Sequence, residues 1–74
     1  MKSKIAVVGT GYWGKNLVRN FHELGHLAMI CDSNELILQG YEEKYPGIRL
    51  QLNYSEVLED KEINAVVLAT PAVT

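Results

Sequence analysis

Three glycines and one aspartate are the residues of this 74-residue chain whose types and spacing point to chemistry. They stand in Val7-Val8-Gly9-Thr10-Gly11-Tyr12-Trp13-Gly14 and, eighteen residues past the last glycine, at Asp32. Gly9 suits a tight turn where a side chain would clash or force a positive φ. Gly11, without a Cβ, lets the backbone approach a bulky anion, and Gly14 lets a following helix pack closely on a sheet. A helix that starts here presents unpaired N–H groups and about half a positive charge to that anion, with the amides of Tyr12 and Trp13 as donors. A carboxylate at position 32 is placed to accept the hydroxyls of a ribose. Anion cradle and ribose acceptor together describe a dinucleotide site.

The same carboxylate selects between two dinucleotides. A 2′-phosphate set about 4 Å from it would cost on the order of 4 kcal/mol per unit charge pair at an effective dielectric near 20. Ser33-Asn34-Glu35 brings no Arg or Lys to offset this, so NAD is favoured over NADP. A glycine-rich turn can also be purely structural, and an aspartate before a helix can be only a cap. The spacing between the two favours the binding role. Thr70-Pro71, after the last apolar run, falls where a strand beside the first would end; it reads either as an ordinary strand-ending turn or, favoured, as a cofactor contact with Thr70 near the nicotinamide ribose. Trp13 fits two roles equally, covering the helix start or flanking the nicotinamide.

The remaining reactive side chains are weaker candidates. Cys31 sits inside an apolar run and reads as a buried spectator. His22 and His26 are four apart, but Gly25 ends the helix between them, so no metal site is expected. No residue of the chain is assigned a catalytic role.

These residues need elements to hold them. Ile5 to Val8 is apolar without alternation and reads as a strand buried on both faces. From Tyr12 to Leu24 the apolar residues Leu17, Val18, Phe21 and Leu24 recur at helical spacing, and Gly25 is placed to stop that helix. Leu27 to Cys31 reads as a second buried strand. Asp32-Ser33-Asn34 can cap a helix from about Glu35 to Tyr45 that carries Leu38, Tyr41 and Tyr45 on one side. Pro46-Gly47 forces a turn. Ile48 to Leu52 is a weaker third strand, Asn53-Tyr54-Ser55-Glu56 matches a capping box before a short helix over Val57-Leu58-Glu59, and Asn64 to Ala69 is a fourth strand. The order β-α-β-α-β-α-β with right-handed crossovers gives a parallel sheet in spatial order 3-2-1-4. This α/β pattern is the N-terminal half of a doubly wound sheet, and residues 1–74 read as part of a dinucleotide-binding domain. Its fourth strand would have an open edge, which invites self-association.

Composition sets the outer bounds. A hydrophobic content of 47% with 22% charged residues fits a globular domain. A net charge of −2 argues against nucleic acid as a partner. No apolar run approaches the roughly 20 residues of a membrane span, and Met1-Lys2-Ser3-Lys4 is followed by too few apolar residues for a signal peptide. A single cysteine fits a reducing cytoplasm.

Taken together, Ile5-Ala6-Val7-Val8-Gly9-Thr10-Gly11-Tyr12-Trp13-Gly14 and Leu68-Ala69-Thr70-Pro71-Ala72-Val73-Thr74 resemble the start of the glucose-fructose oxidoreductase/inositol dehydrogenase (Gfo/Idh/MocA) family. The stretch Gly11 to Phe21 is similar to members that act on nucleotide sugars. The resemblance implies a Rossmann fold whose second half and a C-terminal substrate domain lie outside these residues. It implies cofactor contact for Gly9, Gly11, Tyr12, Trp13, Gly14, Asp32, Thr70 and Pro71. It further implies an NAD-dependent dehydrogenase of sugars, nucleotide sugars or polyols that is a homo-oligomer when complete. The chain alone is then expected to be inactive. A non-catalytic NAD-sensing module and another Rossmann dehydrogenase share the same first half and remain alternatives.

Overall fold

A computed structural model describes residues 4–9 and 14–69. Within them β1 (Ile5–Val8), α1 (Gly14–Leu24), β2 (Leu27–Cys31), α2 (Glu35–Lys44), β3 (Arg49–Gln51), α3 (Tyr54–Glu59) and β4 (Ala65–Leu68) follow one another. The strands form one parallel sheet in the order β3-β2-β1-β4, as the crossover argument requires. This is the α/β, Rossmann-like first half of a doubly wound sheet.

The central strands alternate between two cores. Val7 and Ile30 face α1 and α2, where Val18, Leu38 and Tyr45 join them. Ala6, Val8, Met29 and Cys31 face the other way, toward Val57 of α3. Both faces of β1 and β2 are therefore covered, which is why their sequences read as unbroken apolar runs. Each fully buried Val7, Val18, Ile30 or Met29 stabilises the fold by roughly 1.5–3 kcal/mol relative to exposure.

The stops are chemically distinct. Gly25, at φ 77°, ends α1. Its N–H donates to the His22 carbonyl at 3.0 Å while the His26 N–H reaches the Phe21 carbonyl at 3.0 Å, the double closure of a Schellman motif. Tyr45-Pro46-Gly47-Ile48 closes with the Ile48 N–H on the Tyr45 carbonyl at 3.3 Å, and Gly47 takes the positive φ of 94°. The His22 ring lies 4.6 Å from that of Tyr45, so His22 links α1 to α2.

Two local expectations are corrected. Leu24 is 63% exposed rather than on the core face of α1. Val18 is the buried centre of that helix, and six residues at about 100° each carry Leu24 some 120° away from it. The capping box at Asn53 does not form: α3 starts at Tyr54, three residues earlier than expected, and the Asn53 side chain makes no cap bond. The Gln51 side-chain oxygen accepts the Asn53 N–H at 3.1 Å, the bond a Glu56 side chain would have made.

Below α3, the Arg49 guanidinium donates to Asp60 and, at 3.5 Å, to Glu62. The Arg49 hydrogen bond, helped by the Glu62 N–H at 2.9 Å, holds the Asp60 carboxyl below its ordinary value of 3.8. A carboxylate with a lowered folded pKa contributes stability above the unfolded value, and loses it as pH falls through the folded one. Asp60→Asn should therefore lower the urea midpoint at neutral pH, and the gap to the parent should close below about pH 3.8. An equal gap at neutral and strongly acid pH would contradict this linkage.

Candidate nucleotide site

The carboxyl ends of β1, β2 and β4 meet at one edge of the sheet. The Gly9 N–H donates to the Cys31 carbonyl at 2.8 Å, and the Ala69 N–H donates to the Val8 carbonyl at 2.8 Å. The Val8–Gly9 peptide is therefore held between the last residue of β2 and the first after β4. It adopts φ 83°, a conformation open to glycine and strained for other residues. β1 and β4 are adjacent, yet α1 leaves β1 on one face while α3 enters β4 from the other. Between them lies the switch point at which open α/β sheets take up ligands.

Gly14 packs directly on the Gly9 turn. A Cβ built there would overlap the Gly9 carbonyl oxygen, approach its carbon to 3.1 Å and touch the Ala69 Cβ at 3.4 Å. The first residue of α1 thus rests directly on the turn leaving β1 and on the end of β4. Gly9 supplies the tight turn at positive φ, and Gly14 the close packing of α1 on the sheet.

Asp32 follows β2 and is half-buried. Its N–H donates to the Gln51 carbonyl at 3.1 Å, and its Oδ1 accepts the Asn34 N–H at 2.9 Å. Asn34 caps α2 in turn, its Oδ1 accepting the Leu36 N–H at 2.9 Å. The main chain at Asp32 and the glycine turn are adjacent because Gly9 bonds to Cys31, the residue before Asp32. Sequence reasoning singled out Asp32 but not the Gln51 carbonyl that holds its N–H, a contact that leaves no mark in local sequence.

Cys31 lies buried beside this edge. Burial first, and the Asp32 charge second, push its thiol above the ordinary cysteine value, so it is a packed group and a poor nucleophile. Gly11, Tyr12, Trp13, Thr70 and Pro71 lie outside the described residues. Among the described residues no three His, Cys, Asp or Glu side chains are grouped to hold a metal, and no helix is long and apolar enough to cross a membrane.

Residues 3–74 match the family described as GFO_IDH_MocA, an oxidoreductase family with an NAD-binding Rossmann fold. No curated protein matches the chain. Among solved structures it is similar to the WlbA dehydrogenase from Bordetella pertussis in complex with NADH and UDP-GlcNAcA. The identity is 34% and the TM-score 0.81, over 96% of this chain and 22% of that one. It is also similar to the WlbA dehydrogenase from Chromobacterium violaceum in complex with the same two ligands, at 25% identity and a TM-score of 0.79, over 95% of this chain and 21% of that one. The chain therefore spans about a fifth of the length of either dehydrogenase.

Proposed function

Because this chain belongs to the Gfo/Idh/MocA oxidoreductase family, with its NAD-binding Rossmann fold, we propose that it is the cofactor-holding part of a dehydrogenase acting on a sugar, nucleotide-sugar or polyol hydroxyl. The observation that carries this reading is the closure of Gly14 on the Gly9 carbonyl at the β1–β4 switch point, with Asp32 alongside.

In this assignment Gly9, Gly11 and Gly14 shape the turn, and the amides of Tyr12 and Trp13 hold the pyrophosphate. Asp32 binds the adenosine ribose, while Thr70 and Pro71 border the nicotinamide side. Bound NAD supplies the hydride acceptor, at nicotinamide C4. What residues 1–74 contribute is binding and orientation, and the proton of the substrate hydroxyl is handled by a group elsewhere. A nucleotide sugar is supported as the substrate class by the ligand bound to both WlbA dehydrogenases. The complete enzyme is assigned as a homo-oligomer in a reducing cytoplasm.

The test has two stages. Calorimetry of the chain should show NAD binding, with NADP much weaker. A protein carrying this chain together with a substrate domain should then reduce NAD when offered UDP-linked amino sugars, uronic acids or cyclitols. NAD binding without turnover across such a panel would remove the dehydrogenase reading and leave a nucleotide-binding module.

A further inference from the structure

The geometry points to Asn34 as a positioning residue that sets dinucleotide selectivity by holding the Asp32 carboxylate in place. This rests on the ribose role proposed above for Asp32. Two successive side-chain turns link the helix to the carboxylate. The Asn34 Oδ1 accepts the Leu36 N–H at 2.9 Å and the Asn34 carbonyl accepts the Leu38 N–H at 3.3 Å, which fixes residue 34 in the extended conformation of an N-cap, at φ −99° and ψ 111°. In that conformation the Asn34 N–H points back to the Asp32 Oδ1 at 2.9 Å. The main chain of Asp32 is held from the opposite side by the Gln51 carbonyl at 3.1 Å.

The carboxylate is thus held by the cap of α2, and the main chain that carries it by β3. Charge repulsion falls with distance, so discrimination against a 2′-phosphate depends on a carboxylate that cannot swing away. Loosening Asn34 should cost both ribose affinity and that discrimination.

A cap also stabilises its helix, so stability and positioning have to be separated. Gly40 allows this. It lies inside α2, and a Cβ added there meets nothing within 4 Å. Gly40→Ala should stabilise α2 without touching the site.

The experiment titrates NAD and NADP into the chain by calorimetry and records Tm for four variants. Asn34→Ala should weaken NAD about fivefold, the scale of one net hydrogen bond, and narrow the NAD/NADP ratio. Asn34→Ala with Gly40→Ala should regain Tm but not the ratio. Asn34→Ser, which can make the same cap bond, should restore both. If the double variant recovers the ratio along with Tm, Asn34 is only a helix cap and the inference fails. The fourth variant, Asp32→Ala, should abolish the preference. Unchanged NAD binding there overturns the ribose reading itself, whereas a lost preference there beside an unaffected Asn34→Ala overturns only the role of Asn34.

Discussion

Gly14→Ala is expected to cost about 3 kcal/mol and to leave much of the chain unfolded at 25 °C, because overpacking against rigid backbone sits at the top of the usual range for such changes. The added methyl meets the Gly9 carbonyl oxygen and, at 3.1 Å, its carbon. Neither can yield like a flexible side chain. Gly9 is pinned by its N–H on Cys31, and the Ala69 Cβ closes the remaining side. Relief would require α1 to lift from the sheet, pulling buried Val18 away from Val7 and Ile30. Circular dichroism with urea titration measures this, with Gly40→Ala as the matched glycine-to-alanine control at an open position. If the two variants have the same midpoint, Gly14 is not bearing on the Gly9 turn.

How much of this was legible in the sequence depends on how local each cause is. β1 and β2 announce themselves because both faces of each strand are buried, so every residue is apolar. Gly25 and Pro46-Gly47 are legible because a positive φ or a fixed one is a property of single residues. The place of Asp32 at the end of β2 was legible because the apolar run before it stops at Cys31. The Asn53 capping box was a false signal: the pattern is present, but the Gln51 side chain competes for the same N–H. β4 stands at the sheet edge, as the crossover order predicts, and Leu68 is 60% exposed there. Strand order was legible because it follows from connection length and handedness. The Gln51 carbonyl on Asp32 is a tertiary contact between successive strands and has no residue signature at all.

Asp32→Ala is the second large effect, and it divides by ligand. NAD affinity should fall about 10- to 100-fold, the scale of hydrogen bonds to a charged group. NADP, whose 2′ oxygen carries the phosphate, has at most the 3′-hydroxyl contact to lose and gains relief from a like-charge repulsion on the order of 4 kcal/mol at close range, so its affinity should hold or rise. The preference would then vanish or invert. Part of any change is structural, since the Asp32 Oδ1 also holds the Asn34 N–H. Asp32→Ser, which can accept that N–H without carrying charge, separates the two contributions. Parallel titrations of both dinucleotides decide the matter: an equal loss for NAD and NADP would show that the carboxylate does not discriminate.

The pairing of β1 with β4 also has a consequence for the order of assembly. Lys4 and Asn64 clamp each other at the base of this pair, the Lys4 N–H on the Asn64 Oδ1 at 2.8 Å and the Asn64 N–H on the Lys4 carbonyl at 2.8 Å, across a separation of 60 residues. A contact that distant in sequence carries a large loop-closure entropy and is slow to form. β1, β2 and β3 can associate first, through shorter crossovers. Closure of β4 on β1 is therefore expected to come after the other pairings, and a nascent chain that has not yet delivered Ala65 lacks the strand that completes the switch point.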